Sequence, residues 1–287
     1  MKDILFTDNV RQTRMMRIFL FLVILLVSSL VGIAFSAIFM FGGEHGMRLA
    51  QGISSVMMFV VPPIVYYLVT RKERQLAALG FRSMERPWLL LPAAALMFVS
   101  LPVTNQLTQW NEALHLGGVF VKIEDTMRTL EEVAAAATEQ MLDVNTVGGL
   151  LLNLIIIALI PAVGEELTVR GVLQQALTRG LKNAQVAILL SAALFSFIHF
   201  QFYGFLPRMF LGILLGYMFY TTGSLWASIL MHFLNNGTAV VVYWLNNRGV
   251  IQVDVEHFGA SSSLWLVAAS ALVTLGIVVW CWRKRAT

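Results

Sequence analysis

Charge is scarce in this chain of 287 residues: only 13% are Asp, Glu, Lys or Arg, whereas 58% are hydrophobic. A soluble domain of this length would have about one quarter of its residues charged. The low charge and a mean hydropathy of +0.75 exclude a typical soluble protein and indicate one that is integral to the lipid bilayer. The net charge of +4 does not indicate a nucleic-acid partner, because the basic residues cluster beside apolar segments.

Cysteine and aspartate are also rare, which excludes several kinds of chemistry. The single cysteine, Cys281, can form no internal disulfide. Beyond the N-terminal segment the only aspartates are Asp125, Asp143 and Asp254, and all three fall in predicted connections between apolar runs. A mechanism that needs two aspartates within the membrane is therefore excluded. Ser224 is the nearest candidate for a serine nucleophile, but it follows Gly223 in a predicted turn.

Eight apolar segments approach the roughly 20 residues that cross a bilayer as a helix. They lie near residues 18–41, 52–70, 88–104, 147–163, 184–200, 205–222, 225–246 and 263–282. A more polar helix over about 165–180 is predicted to continue from the fourth segment or to bend along the interface. The sequence thus predicts an all-α polytopic membrane protein of about eight transmembrane helices that enclose an active-site cavity.

The distribution of charge predicts the orientation. Basic residues mark inside loops and tails: Lys2, Arg11, Arg14 and Arg17; Arg71, Lys72, Arg74, Arg82 and Arg86; Arg179 and Lys182; and Arg283, Lys284 and Arg285. The long connection over 105–146 is acidic instead, and its part over 125–142 has the pattern of an amphipathic helix. We therefore expect both termini in the cytoplasm and the acidic segment outside.

One integral membrane domain in three parts is expected. Residues 1–146 hold three spans and the acidic segment, 147–246 form a core that contains the candidate site, and 247–287 hold a loop and the last span.

Two adjacent glutamates, Glu165 and Glu166, follow the fourth apolar segment, and Arg170 comes four residues later. An acidic residue within the membrane is costly, by about 2.5–3.5 kcal/mol at the centre of a helix. Residues four apart share a helix face, so Glu166 and Arg170 can form an ion pair. Glu165 lies about 100° around the helix and stays available. The alternative is an ordinary ion pair at the start of a helix.

Polar residues recur in two later apolar segments. His199 ends the run Phe195-Ser-Phe-Ile-His199, and His232 is followed four residues later by Asn236 on the same helix face. Each pattern alone also suits a residue that bonds neighbouring helices. Together, a carboxylate, two imidazoles and an amide are the groups needed to activate water and to stabilise an oxyanion. The other histidines, His45, His115 and His257, are expected in loops.

The order EExxxR, FxxxH and HxxxN on successive membrane helices resembles the CPBP family of intramembrane proteases, which comprises CAAX proteases and bacteriocin-processing (Abi) proteins. The resemblance covers roughly residues 147–246, and no motif position departs from the pattern. It implies an intramembrane endopeptidase of about eight helices with a conical cavity open to the cytoplasmic side. The partner it implies is a peptide or protein substrate at the membrane, and a bacterial inner-membrane protein is the favoured setting.

The resemblance also implies a role for each motif residue. Glu165 would be the general base that activates water, and Glu166 would assist it or pair with Arg170. His199 would help to position the water, and His232 with Asn236 would form the oxyanion site.

The chain has no HExxH helix. The resemblance to CAAX-processing enzymes favours a water activated by glutamate, and so catalysis without a metal. Zinc remains the alternative, with Glu165, His199 and His232 as the available ligands. Two other functions stay open. One is a non-catalytic scaffold or immunity protein of the same fold, and the other is a proton-coupled transporter, which would spread polar residues along a pathway.

Overall fold

The computed structural model describes residues 10–39, 41–70, 76–255, 258–261 and 263–284, and within them the side chains other than those of 10–15, 44 and 76. This part of the chain is helical and contains no strand. The helices are α1 (Val10–Ala37), α2 (Gly43–Ser55), α3 (Val61–Thr70), α4 (Leu90–Val99), α5 (Leu101–Glu112), α6 (Val121–Leu142), α7 (Val147–Asn153), α8 (Ile160–Glu166), α9 (Gln175–Leu181), α10 (Ala184–Phe197), α11 (Phe205–Thr222), α12 (Leu225–Asn247) and α13 (Leu264–Arg283). The predicted all-α membrane fold is confirmed.

Six of the eight predicted spans are helices long and apolar enough to cross a membrane. The third predicted span is a pair, Pro87–Val99 and Leu101–Glu112, bent by 42°. Pro102 in the first turn of α5 lacks the N–H that would continue the α4 ladder. The fifth contains α10, which has 14 residues and reaches about 21 Å at 1.5 Å per residue. The described residues thus contain six candidate spans, or seven if the bent pair counts as one, whereas eight were predicted; α10 is apolar but shorter.

The helix predicted after the fourth span continues from it, which is one of the two predicted alternatives. Residues Val147–Leu181 form one continuous helix of 35 residues, the site helix, which runs through α7, α8 and α9. The two glutamates therefore lie near the middle of a helix. Glu165, Glu166 and Arg170 are charged, yet all three are buried.

Prolines interrupt the regular hydrogen bonding of two helices. π-Helical segments occur at Leu154–Leu159, just before Pro161, and at Val56–Val60, just before Pro62 and Pro63. Proline lacks an N–H, so the carbonyl four residues earlier loses its α-helical donor. A third π-segment, Leu167–Gln174, follows the glutamates directly. Such segments are frequent at functional sites.

A pair of glycines lets α10 and α11 approach closely. Gly212 and Gly216 form a GxxxG pattern, which is typical of tightly packed membrane helices. A Cβ atom at Gly212 would lie 3.0 Å from the Cβ of Ala192, and one at Gly216 would lie 3.0 Å from Ile188. This close packing brings the end of α10, with His199 just beyond it, next to the site helix.

The acidic segment docks onto the bundle through α6, which begins earlier than the predicted 125–142. Glu124 accepts hydrogen bonds from His115, Arg128 and the Leu116 N–H, at 2.8–3.1 Å. These bonds, that from His115 first, lower the pKa of Glu124 to about 2. Glu124 is therefore ionised at neutral pH, so the start of α6 stays tied to the preceding connection.

Some predictions fall on residues that the structure does not describe or places elsewhere. His45 lies within α2 and not in a loop, whereas His115 does lie in a connection. His257 is outside the described residues, as are the basic residues Lys2, Arg71, Lys72, Arg74 and Arg285.

Replacing Gly212 by Val should destabilise the bundle, because the added side chain would push α10 and α11 apart. Overpacking of this kind costs about 1–3 kcal/mol. Gly276→Val is the matched control, since a Cβ at Gly276 has no atom within 4 Å. Thermal unfolding in detergent should show a lower midpoint for Gly212→Val alone. Equal midpoints for the two variants would contradict the close packing.

Candidate active site

A buried ion pair forms the base of the site. Arg170 Nη1 donates to Glu166 Oε1 at 2.6 Å, and neither side chain is exposed to solvent. Arg170 Nη2 donates to the Gly212 carbonyl at 2.7 Å. One turn on, Gln174 donates to the Gly216 carbonyl at 3.0 Å. Side chains four apart on the site helix thus bind carbonyls four apart on α11, which confirms the predicted pair and fixes its register.

Glu166 also holds one of the candidate histidines. His232 Nδ1 lies 3.1 Å from Glu166 Oε1. An ionised carboxylate only accepts hydrogen bonds, so Nδ1 carries the proton. The Nε2 atom of His232 then faces the other glutamate, with 3.7 Å between Nε2 and Glu165 Oε2.

His199 approaches Glu165 from the opposite side. Its Nδ1 donates to the Phe195 carbonyl at 2.8 Å, and its Nε2 lies 4.0 Å from Glu165 Oε1. The Phe195 ring contacts both imidazoles edge-on, with centroid distances of 5.0 and 6.1 Å, and the Arg170 guanidinium lies over it. The Phe195 ring therefore lies between the two imidazoles and the guanidinium and keeps them apart. This accounts for a phenylalanine four residues before His199.

The protonation of this cluster follows from its hydrogen bonds. Both Nδ1 atoms are bound to protein acceptors, so in the neutral imidazoles both Nε2 atoms carry lone pairs directed toward Glu165. The two Nε2 atoms and the Glu165 carboxylate are all hydrogen-bond acceptors, and the Nε2 atoms lie 3.7 and 4.0 Å from its oxygens. A small donor such as a water molecule suits the space between them. The arrangement can therefore hold and deprotonate a water.

Asn236 is fixed against the site helix by the break at Pro161. Its Nδ2 donates to the Ile157 carbonyl at 3.3 Å, which is the carbonyl that Pro161 leaves without its α-helical donor. Its Oδ1 accepts from Asn235 Nδ2 at 3.0 Å. The amide is thereby oriented, and one N–H of Nδ2 remains to donate elsewhere. The structure places Asn236 one turn beyond His232, beside the helix that carries Glu165.

The second proline break anchors the site helix from the other side. Thr168 Oγ1 donates at 2.8 Å to the Phe59 carbonyl, which lacks its α-helical donor because of Pro63. Gly164 packs against this same segment, and a Cβ there would lie 2.9 Å from Val60. The helix segment that bears the glutamates is thus held on two sides. On each side the hydrogen bond uses a carbonyl that a proline leaves without its α-helical donor.

A cavity of about 430 Å³ lies beside the cluster, between α5, α6, α11 and α12. Asn235 and Arg208 line it together with Glu131 of α6. The cavity is on the side of the acidic segment. The sequence predicts that the acidic segment lies outside and that the cavity opens to the cytoplasm. If substrate reaches the site through this opening, the two predictions cannot both hold.

The residues available for a zinc ion do not form a compact ligand set. In a tetrahedral zinc site each ligand atom lies about 2.0–2.1 Å from the metal, so two ligand atoms lie about 3.4 Å from each other. The His232 and His199 Nε2 atoms are 3.7 and 4.0 Å from Glu165 oxygens. Within the described part of the chain, no group of three or more His, Cys, Asp or Glu side chains is placed to hold a metal ion.

Several residues of the site lack a role in the sequence-based prediction. Asn235 lies outside the three motifs, yet it donates to the Asn236 side chain. Arg208 also lies outside the motifs and lines the cavity. Two features of the sequence indicate further contacts of the site. One is the GxxxG pattern at Gly212, and the other is Pro161, which leaves the carbonyl of Ile157, four residues earlier, without its α-helical donor.

The two glutamates should differ in what they do for stability. Glu166→Gln leaves the buried guanidinium of Arg170 without its counterion, which should cost about 3–5 kcal/mol. Glu165→Gln removes a carboxylate whose ion-pair contacts within 4.0 Å, among the described residues, are with His199 and His232, and it should change the free energy of unfolding by less than about 1 kcal/mol. Thermal unfolding in detergent compares them, and equal destabilisation would refute the division of roles.

Residues 147–238 match the model of a protein family, the type II CAAX prenyl endopeptidase Rce1-like family. The matched region contains Glu165, Glu166, Arg170, His199, His232 and Asn236. No curated protein and no solved structure shows significant similarity to the chain. At the level of the family, the match supports an intramembrane CAAX-type endopeptidase. The similarity is confined to residues 147–238, and it supports the assignment of this region to a CAAX protease family.

Proposed function

We propose that the protein hydrolyses peptide bonds of membrane-associated peptides or protein tails, with Glu165 as the general base. The observation that carries the proposal is that Glu165 faces the Nε2 atoms of both His199 and His232, while Glu166 is occupied by Arg170. A bacterial inner membrane is the proposed setting.

In the proposed mechanism, water lies between Glu165 and the two Nε2 atoms. Glu165 takes one proton as the water oxygen attacks the carbonyl carbon of the substrate. The free N–H of Asn236 stabilises the oxyanion that forms. Glu165 then returns the proton to the leaving amine as the C–N bond breaks.

His232 can join Asn236 in binding the oxyanion only in its doubly protonated form. Its Nδ1 already donates to Glu166, so a second donor at Nε2 makes the ring an imidazolium. The Glu166 carboxylate beside it would stabilise that cation. His199 has no carboxylate at Nδ1, only the Phe195 carbonyl, which fits a role in positioning water.

Glu165→Gln should abolish hydrolysis while leaving the protein folded. Loss of a general base lowers kcat by about a hundredfold to ten-thousandfold. The assay uses purified protein in detergent with a fluorogenic peptide library. Glu139→Gln, on the exposed face of α6, is the matched control. Cleavage that survives Glu165→Gln would overturn the assignment of the base.

Metal-independent hydrolysis is proposed because the separations within the cluster exceed those of a zinc site. Treatment with a chelator, followed by dialysis, should then leave the rate unchanged. Metal analysis of the purified protein should find less than a stoichiometric amount of zinc. Loss of activity on chelation that zinc restores would establish the alternative, with Glu165, His199 and His232 as ligands.

Pro161→Ala should separate stability from catalysis. The new N–H can bond the Ile157 carbonyl and compete with Asn236 Nδ2, so the helix is strengthened while the amide is released. We expect an equal or higher unfolding temperature and a loss of activity of up to about a hundredfold. In a double-mutant cycle with Asn236→Ala, the two losses should not add. Additive losses would show that Pro161 acts by another route.

The other two functions predict different outcomes in these experiments. A scaffold would bind a partner and cleave no peptide, and its behaviour would not depend on Glu165. A transporter would accumulate labelled ions in liposomes. The buried polar residues described here favour neither, because they converge on one carboxylate.

A further inference from the structure

Arg208 lies in the cavity beside the site, and not all of its N–H groups have an acceptor among the described residues. Its Nη2 donates to the Gln201 carbonyl at 3.0 Å. Its nearest carboxylate oxygen among the described residues, Glu131 Oε1, is 3.7 Å away, beyond a direct hydrogen bond. Its Nη1 is buried and has no partner among the described residues. A buried N–H without an acceptor is costly, so this atom is suited to a ligand.

The position of the guanidinium is built into the backbone. A Cβ atom at Gly204 would overlap it, so the glycine leaves room for the side chain to lie flat against this turn. Glu131 is a weak counterion, because its Oε2 already accepts the Tyr203 N–H at 3.1 Å. Burial also raises the pKa of Glu131, which disfavours its charged form. Arg208 is thus positioned but only partly neutralised.

The other cation of the cavity is already engaged. Arg128 pairs with Glu124 at 2.9 Å and lies over the Tyr203 ring. Glu112 and Glu132, which also line the cavity, are exposed and solvated. They would oppose a highly acidic ligand, so the cavity suits one carboxylate placed at Arg208.

Two contacts connect this cavity to the candidate catalytic residues. Asn235 lines the cavity and donates to Asn236. Arg208 donates to the Gln201 carbonyl, two residues beyond His199, whose Nε2 faces Glu165. The volume, about 430 Å³, is within the range of sites for small ligands. A peptide segment in the cavity would therefore have one end beside Glu165.

Resting on the proposed function, we propose that the cavity holds the peptide segment on one side of the cleaved bond and that Arg208 binds a carboxylate of that segment. A guanidinium matches a carboxylate with two parallel N–H donors, which a lysine cannot reproduce. Arg208 is then the residue that determines specificity. The carboxylate is either the peptide's C-terminus or an acidic side chain.

Binding to the Glu165→Gln protein tests the proposal without requiring hydrolysis. Four fluorescent pools of random hexapeptides are compared, with a free or amidated C-terminus and with or without Asp and Glu. We expect carboxylate-bearing pools to bind about tenfold to a hundredfold more tightly. Preference for the free C-terminus identifies the terminal carboxylate, and preference for Asp and Glu identifies a side chain. Equal binding of all four pools would overturn the proposal.

Variants at Arg208 separate recognition from folding. Arg208→Gln should remove the preference and leave binding of the pool without carboxylates unchanged, and Arg208→Lys should restore only part of it. Lys122→Gln, an exposed cation at the start of α6, should keep the full preference. Equal loss for all pools in Arg208→Gln, with a lower unfolding temperature, would show a structural role instead. Because these are binding data, they remain valid if hydrolysis itself is not found.

Discussion

The fully buried guanidinium of Arg170 is the constraint on which the rest of the site depends. Moving such a charge out of water costs several kcal/mol, which only close partners can offset. Glu166 and the Gly212 carbonyl supply them. The first lies on the same helix and the second on α11, so satisfying one side chain joins two helices. The glycines of α11 let α10 pack beside these contacts, because a Cβ at Gly212 would meet Ala192 and one at Gly216 would meet Gln174 and Ile188.

Proline provides the second constraint, through the hydrogen bond it cannot make. The breaks at Pro161 and Pro63 expose the Ile157 and Phe59 carbonyls inside an apolar bundle. Each carbonyl finds a side-chain donor on another helix, Asn236 in one case and Thr168 in the other. Irregular backbone thus supplies the polar contacts that position the helix bearing Glu165. In a membrane, where water is not available to satisfy these groups, such contacts are both stabilising and specific.

The sequence predicts what depends on local spacing and misses what depends on packing. The i,i+4 relation gives the Glu166–Arg170 pair, and hydropathy locates the helices to within a few residues for most spans. The site helix has one of its two predicted forms, a continuation of the fourth span over Val147–Leu181. The approach of His199 to Glu165 depends on the close packing of α10 and α11, and the cavity depends on how α6 docks. The GxxxG pattern is a signal for the first, whereas no short motif encodes the second.

The two adjacent glutamates could not exchange roles. Protonation of Glu166 would leave Arg170 and the Nδ1 of His232 without an ionised acceptor in a buried site, which opposes any proton transfer to it. Glu165 has no such obligation, since it faces two imidazole nitrogens whose protons are held elsewhere. In the proposed mechanism, the Glu165 carboxylate gains a proton and loses it again while the Glu166–Arg170 ion pair stays intact. The separation of about 100° between consecutive helical residues is what lets one acid maintain the fold while its neighbour remains free to exchange protons.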